Sequence, residues 1–225
     1  MPRKSTVTIV RQSLQELVDQ FFSSPHALRT EQSLHCQLYY LLLKHGLNHS
    51  HQSGAGFDVS QVQKEYPPRN ADKRGRRGRF DLVVFDAADI RSIARWDYSD
   101  ELKMPIPPTV AIELKLNGGL RWSPDRANLP DIQKELKRLQ REENGVRHPF
   151  VLYLYRIANL KDARGQVESF KRLEELFVAA SMEYRKVSAW LAGTEFDPAQ
   201  GFKPLTSIEV KVEKGKVARR THVRN

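Results

Sequence analysis

Asp81 stands in the stretch RFDLVVFD (79–86), with apolar residues on both sides of it. Alternation puts Phe80, Leu82 and Val84 on one face of a strand and Asp81 with Val83 and Phe85 on the other. A carboxylate among such neighbours needs a strong partner, because burying it unpaired is costly. Two kinds of partner are open: a basic side chain such as Arg79 or Lys115, or a metal ion, since carboxylate oxygens are what Mg²⁺ prefers. The stretch VAIELKLNGG (110–119) repeats the pattern. Val110, Ile112, Leu114 and Leu116 alternate with Ala111, Glu113 and Lys115, so an acid and a base project together from one strand face. For that stretch by itself a solvated face is the ordinary explanation. A third acid, Glu31, opens a helical stripe of Leu34, His35, Leu38 and Leu42. That spacing puts it in the first turn at the top of the core-facing side, where it either joins a site or complements the helix dipole.

An Asp on one strand, followed on another by Glu-x-Lys on a single face, is what metal-dependent phosphodiester hydrolysis requires. Asp81 and Glu113 would hold Mg²⁺, or Mn²⁺ in its place, with the backbone carbonyl of Leu114 as a third oxygen. The metal would polarise the phosphate and acidify a bound water. Lys115 would orient that water and offset charge developing on the phosphate. A strand suits the task, because residues i and i+2 project together from a rigid element.

These residues resemble the PD-(D/E)XK, or restriction-endonuclease-like, nucleases. The matching positions are Asp81 in GRFDLVVFD and Glu113-Leu114-Lys115 in AIELKLN, over a span of about 28–156. Glu31 matches the helical acid that many members carry upstream. DIQKELKRL falls where members place a helix after the Glu-x-Lys strand, and the resemblance gives its Gln133 or Lys134 an assisting role at the phosphate. The fold it implies is an α/β one of α+β type: a central mixed β-sheet flanked by helices, with an αβββαβ core. The activity it implies is Mg²⁺-dependent cleavage of DNA, by an endonuclease. Phe80 stands where the family name has Pro. The long gap from Asp81 to Glu113 requires an insertion at 87–108.

The elements that must position these residues can be read from periodicity. Ile9, Leu14, Leu17, Val18, Phe21 and Phe22 predict a helix over 9–22, broken by SSPHALRT. A second helix runs from about Glu31 to His45 and ends at Gly46. LNHSHQSGAGFD reads as a loop, and VSQVQKEY as a strand stopped by Pro67-Pro68. The 79–86 strand follows a basic connector, then a polar segment at 87–108, then the Glu-x-Lys strand. A helix begins near Asp131, with Pro130 at its start and Ile132, Leu136 and Leu139 as its stripe. HPFVLYLYRI is apolar almost throughout, which suits a strand covered on both faces. Residues 165–184 predict a helix, KVSAWLA a strand, and TSIEVKVEKGKVARRTHV a hairpin turning at Gly215. The expectation is a single domain over 1–225, its core at about 28–156, with an N-terminal helix in 1–27 and a helix and hairpin added in 157–225.

The chain has 225 residues, a net charge of +10 and 40% hydrophobic residues, enough apolar content for a core and enough positive charge to point to a polyanionic partner. The connector RNADKRGRRGR concentrates that charge: Arg69, Lys73, Arg74, Arg76, Arg77 and Arg79 lead directly into Asp81, where they would hold phosphates flanking the scissile one. The C-terminal cluster Lys211, Lys214, Lys216, Arg219, Arg220 and Arg224 is either a second contact or a frayed tail. The single cysteine, Cys36, excludes an internal disulfide and reads as a buried small hydrophobe in its helix. His45, His49 and His51 lie in a Gly/Ser-rich region with no thiolate near and are not read as a zinc set. There is no GxSxG, phosphate loop or dinucleotide fingerprint. No stretch is apolar enough to span a bilayer or to form a signal peptide, so the expected location is cytoplasmic, with nucleic acid as partner and no membrane. Two rivals to the enzyme remain at this level. One is a module that binds nucleic acid without cutting. The other is a subunit of a larger nuclease or transposition assembly, active only with a protein partner or a second copy.

Overall fold

The structure, a computed structural model, describes residues 4–66, 79–93, 106–117, 129–157, 163–197, 199, 201–213 and 216–221. Two helices open it. In α1 (Thr6–Ser23) Ser5 caps the N-terminus by accepting from the Thr8 N–H, and Ile9, Val10, Leu14, Leu17, Val18, Phe21 and Phe22 are buried along one side. In α2 (Glu31–Lys44) Thr30 and Ser33 form a reciprocal capping box. The chain leaves α2 through Gly46 at φ +109°, a conformation glycine adopts without penalty.

Nine strands follow: β1 (Ser50–Gln52), β2 (Asp58–Ser60), β3 (Val62–Tyr66), β4 (Phe80–Val84), β5 (Val110–Asn117), β6 (His148–Ile157), β7 (Ser188–Asp197), β8 (Gly201–Glu213) and β9 (Lys216–Thr221). Between them lie α3 (Ala87–Arg91), α4 (Leu129–Gln140), a single 3₁₀ turn (Glu142–Asn144) and α5 (Ala163–Glu183). β1 and β2 form a separate two-stranded ribbon; β3 to β9 form a seven-stranded sheet in sequence order. β5, β6 and β7 are parallel neighbours joined through α4 and α5, and every other pair is antiparallel. The class is therefore α/β of α+β type, with a mixed sheet flanked by helices. The segment after 157 does not stand apart, since β7, β8 and β9 extend the same sheet.

The sheet is covered on both faces. Val110, Ile112, Leu114, Phe150, Leu152 and Leu154 pack under α1 and α2. Ala111, Val151, Tyr153 and Tyr155 pack under Leu136 and Leu139 of α4 and Phe170, Leu173 and Phe177 of α5. Alternation along β5 thus sends Glu113 and Lys115 toward the α4 face. No helix among the described residues is long and apolar enough to cross a membrane.

Four local expectations are corrected. Phe80 does not share the face of Leu82 and Val84: alternation breaks at the start of β4, and Phe80 packs with Val83 and Phe85 on the α4 side. The region 47–58 is not all loop: it contains β1, whose polar residues pair with β2. The expected strand at 59–66 is two strands, interrupted at Gln61, whose N–H turns to the carbonyl of His49 and whose side-chain amide donates to Phe85 O. Cys36 is exposed, because the buried stripe of α2 is Leu34, His35, Leu38, Leu41 and Leu42, and position 36 falls a hundred degrees off it.

Candidate metal centre

The site lies where two ladders fail at the same place. β4 pairs with β5 from Val84↔Val110 to Leu82↔Ile112 and no further. At the next position Asp81 replaces the ladder bond: its Oδ2 accepts from the Leu114 N–H at 2.7 Å. On the other side of β4, Glu65 drops out of the β3–β4 register between Lys64↔Leu82 and Tyr66↔Phe80. Glu65 sits at φ +54°, the only non-glycine with positive φ among the described residues. A left-handed turn of one residue costs a side-chain-bearing residue about 1–2 kcal/mol. Here it brings the Glu65 carboxylate to Asp81.

α2 supplies the third group. The His35 ring, one turn past the capped N-terminus, faces Asp81 with Nε2 3.5 Å from Oδ2. Both side chains are largely buried, and His35 Nε2 has no hydrogen-bond partner. His35, Glu65 and Asp81 each offer one ligand atom, and these atoms lie within 4.8 Å of one another. Two carboxylates facing across adjacent strands repel, and an imidazole nitrogen buried without a partner is costly. A cation among the three removes both penalties.

Beside them lies a second charged group. Glu113 is fully buried, and burial holds its carboxyl well above the usual carboxylate range. The Arg138 guanidinium pulls it back, the negative charges of Asp81 and Glu135 push it further up, and Lys115 opposes them. Arg138 Nη2 is 2.5 Å from Glu113 Oε2 and 2.5 Å from Glu135 Oε2, and the guanidinium lies over the Phe80 ring. Among the described residues, four carboxylates (Glu65, Asp81, Glu113 and Glu135) gather here, with Arg138 in contact with two of them and Lys115 acting on Glu113 through its charge. A divalent ion is a charge that would help to balance the set.

The residues present fit such an ion. A donor set of one imidazole and two carboxylates suits Mn²⁺ and other first-row divalent ions better than Mg²⁺, which prefers oxygen alone. The expected donor set is thereby altered. Asp81 is in the cluster and Glu113 is beside it, already engaged by Arg138. Leu114 takes part through its N–H, to Asp81. Glu31 is exposed in the first turn of α2 and is not in the cluster; the helical residue that is lies one turn later, at His35. Lys115 is half-buried on the Glu113 face, as its spacing implies. Neither Arg79 nor Lys115 pairs with Asp81; Arg79 is exposed. On α4 Lys134 is exposed and Gln133 half-buried, and the residues that reach the site are Glu135 and Arg138. Arg69, Lys73, Arg74, Arg76 and Arg77 lie outside the described residues, although the flanking Tyr66 and Phe80 pair with each other at this same edge.

Sequence reasoning does not reach His35, Glu65, Glu135 or Arg138 as site residues. His35 carried a usable signal, a polar side chain four residues after Glu31 in an otherwise leucine stripe. Glu135 and Arg138 carried a weaker one, an i, i+3 ion pair next to Leu136 and Leu139. Glu65 carried none, because its role depends on a backbone conformation that its type disfavours. No family model matches the chain, and no match was found among curated proteins.

Proposed function

We propose that this protein is a divalent-cation-dependent nuclease that hydrolyses phosphodiester bonds in DNA, an endonuclease of the PD-(D/E)XK kind working in the cytoplasm. The observation that carries the proposal is the meeting of His35, Glu65 and Asp81 at the open edge of the sheet, beside Glu113 and Lys115, in a chain of net charge +10. The order of α2, the antiparallel β3–β4–β5 run, α4 and the parallel β6 supports it, being the αβββαβ order expected of such a core.

When bound, a cation in this seat supplies charge neutralisation and Lewis acidity toward a phosphodiester. The chain's own residues do the rest. Asp81, pinned by the Leu114 N–H, keeps its carboxylate fixed toward His35. Lys115 places an ammonium at the same edge, where it orients a water and offsets charge on the phosphate. Glu113, held by Arg138, fixes the local field around Lys115. The low solvent exposure of Asp81 and Glu113 strengthens each of these interactions.

The test is cleavage of plasmid and of end-labelled duplex and single strands, with EDTA, Mg²⁺ or Mn²⁺. Cutting that requires a divalent ion, is faster with Mn²⁺ and is lost in Asp81→Asn supports the proposal. Cutting that persists in Asp81→Asn refutes it. One observation favours a second reading, a module that binds DNA without cutting: Arg138 already neutralises Glu113, the carboxylate the chemistry was expected to use. Salt-dependent DNA binding with no cleavage under any metal condition would select that module, or a subunit that needs a partner.

A further inference from the structure

Lys64 belongs to β3, an edge strand of the seven-stranded sheet, and immediately precedes the candidate ligand Glu65. It pairs across the ladder with Leu82, the residue after Asp81. Val62 and Leu82 pack under α1 and α2, and Lys64, two residues from Val62 and opposite Leu82, projects to that same side. Its Nζ stands 3.7 Å from Sγ of Cys36, the residue after the candidate ligand His35. Lys64 is therefore one residue from Glu65 on its own strand, in contact with the neighbour of His35 on α2, and paired with the neighbour of Asp81 on β4. Register and contact together place it on the α2 side of the metal centre.

The ammonium is exposed, and among the described residues its one polar contact is the Cys36 thiol, a weak acceptor. No carboxylate forms an ion pair with it there, whereas Arg138 meets Glu113 and Glu135 on the α4 side. A lysine that merely keeps an edge strand from pairing with another chain needs no place beside three ligand-bearing positions. We propose that Lys64 binds a backbone phosphate of the nucleic acid next to the phosphodiester at the metal centre, and so holds the strand along the α2 side of the sheet edge. The proposal rests on the nuclease reading for the identity of its ligand. A compact ammonium on a flexible stem suits this task, since a flanking phosphate calls for charge and reach rather than a planar fork. Such a contact sets the position of the strand and reads no base.

Cys36 is the single cysteine of the chain and is exposed, so a maleimide reports on this spot alone. A phosphate held by Lys64 covers the thiol. The experiment is maleimide labelling of Cys36 with and without saturating DNA duplex, beside equilibrium binding of labelled duplex and single strand over a salt series. Both are run in EDTA, apart from cleavage, for the parent, Lys64→Gln and Lys64→Arg, and urea unfolding checks that each variant keeps the parent's fold. DNA should slow the labelling of the parent. In Lys64→Gln that protection is lost, and the slope of log K against log salt flattens by up to roughly 0.9 on duplex and roughly 0.7 on single strand. Lys64→Arg keeps the charge and retains both. Single-turnover cleavage with Mn²⁺ is measured in parallel. A folded Lys64→Gln with the parent's slope, or a parent Cys36 labelled as fast with DNA as without, overturns the contact even if the parent cleaves. Protection and flattening in a parent that never cleaves keep the contact and reject the nuclease. No DNA binding by the parent overturns both.

Discussion

Removing Arg138 is the sharpest perturbation of the site. Arg138→Ala leaves Glu113, fully buried, beside Asp81 and Glu135 with, among the described residues, Lys115 to offset three acids. Breaking a buried ion pair by deleting one partner costs about 3–5 kcal/mol. The Arg138 side chain is 21% exposed, so the low end applies, about 3 kcal/mol. For a domain of this size each kcal/mol lowers Tm by about 2–4 °C, giving a fall of about 6–12 °C in metal-free buffer. In urea the midpoint should move by about 1 M. The loss must depend on pH in a definite sense. A carboxyl whose folded pKa lies above its unfolded value binds its proton more tightly when folded, so it destabilises the ionised native state. Stability therefore falls as pH rises from the ordinary glutamate value of 4.5 toward the raised folded value. Without Arg138 the folded value rises further, so the fall continues to higher pH, and parent and variant converge in acid. Glu113→Gln on the Arg138→Ala background removes the orphaned charge and should recover most of the loss. The assay is urea unfolding from pH 4.5 to 8.5 for the four proteins of this double-mutant cycle. A variant within 2 °C of the parent, or a loss independent of pH, would refute the assignment of a buried, Arg138-dependent Glu113 (thresholds of order ~1 kcal/mol).

Glu65→Gly should raise metal-free stability by about 1 kcal/mol, since glycine carries no penalty at φ +54°, while weakening Mn²⁺ binding in a calorimetric titration; a stability loss would mean that the Glu65 backbone is unstrained. Lys115→Ala should keep the Mn²⁺-induced rise in Tm and DNA affinity but lose about 10²–10³ in single-turnover cleavage rate, an outcome that unchanged cutting contradicts. Arg11→Ala leaves Glu209 buried and unpaired across the α1–β8 contact, and should cost about 3 kcal/mol in urea unfolding without altering metal binding.

What was legible in the sequence follows from what decides each element. HPFVLYLYRI matches β6 residue for residue, because a long apolar run of β-formers has no other use in an interior. The α2 boundaries were legible for the same reason of local sufficiency: the Thr30–Ser33 cap and Gly46 lie in the segment they delimit. The Asp81 and Glu113 positions were legible because an acid among alternating apolar residues stands out. β1 was not, since Ser50, His51 and Gln52 have no strand preference and pair only because β2 is brought alongside. The partners of the two acids were not legible either. Whether Glu113 meets a metal or Arg138 depends on how α4 sits over β5, and no local pattern encodes that angle. The exposure of Glu31 and the burial of His35 differ by one helical turn, within the range that helix-end position alone decides.

The site carries several costs at one point of the fold: a left-handed glutamate, two facing carboxylates, a buried imidazole nitrogen without a hydrogen bond, and a buried acid held by a single shared arginine. The same residues border a sheet whose central strands β5, β6 and β7 pair in unbroken register and pack on both sides, so a general looseness does not account for them. A ligand that binds only the folded state returns such costs by mass action, about 2.7 kcal/mol at a hundredfold excess over Kd. Positive charge offsets the facing carboxylates and the buried acid, and His35, Glu65 and Asp81 together offer ligand atoms for an ion that would supply it. Arg138 is already committed to Glu113 and Glu135, and Lys115 stands on the Glu113 face. The chain thus assigns Arg138 to one half of the acidic set, and Asp81 stands between that half and the His35–Glu65 side, where the proposed ion would sit.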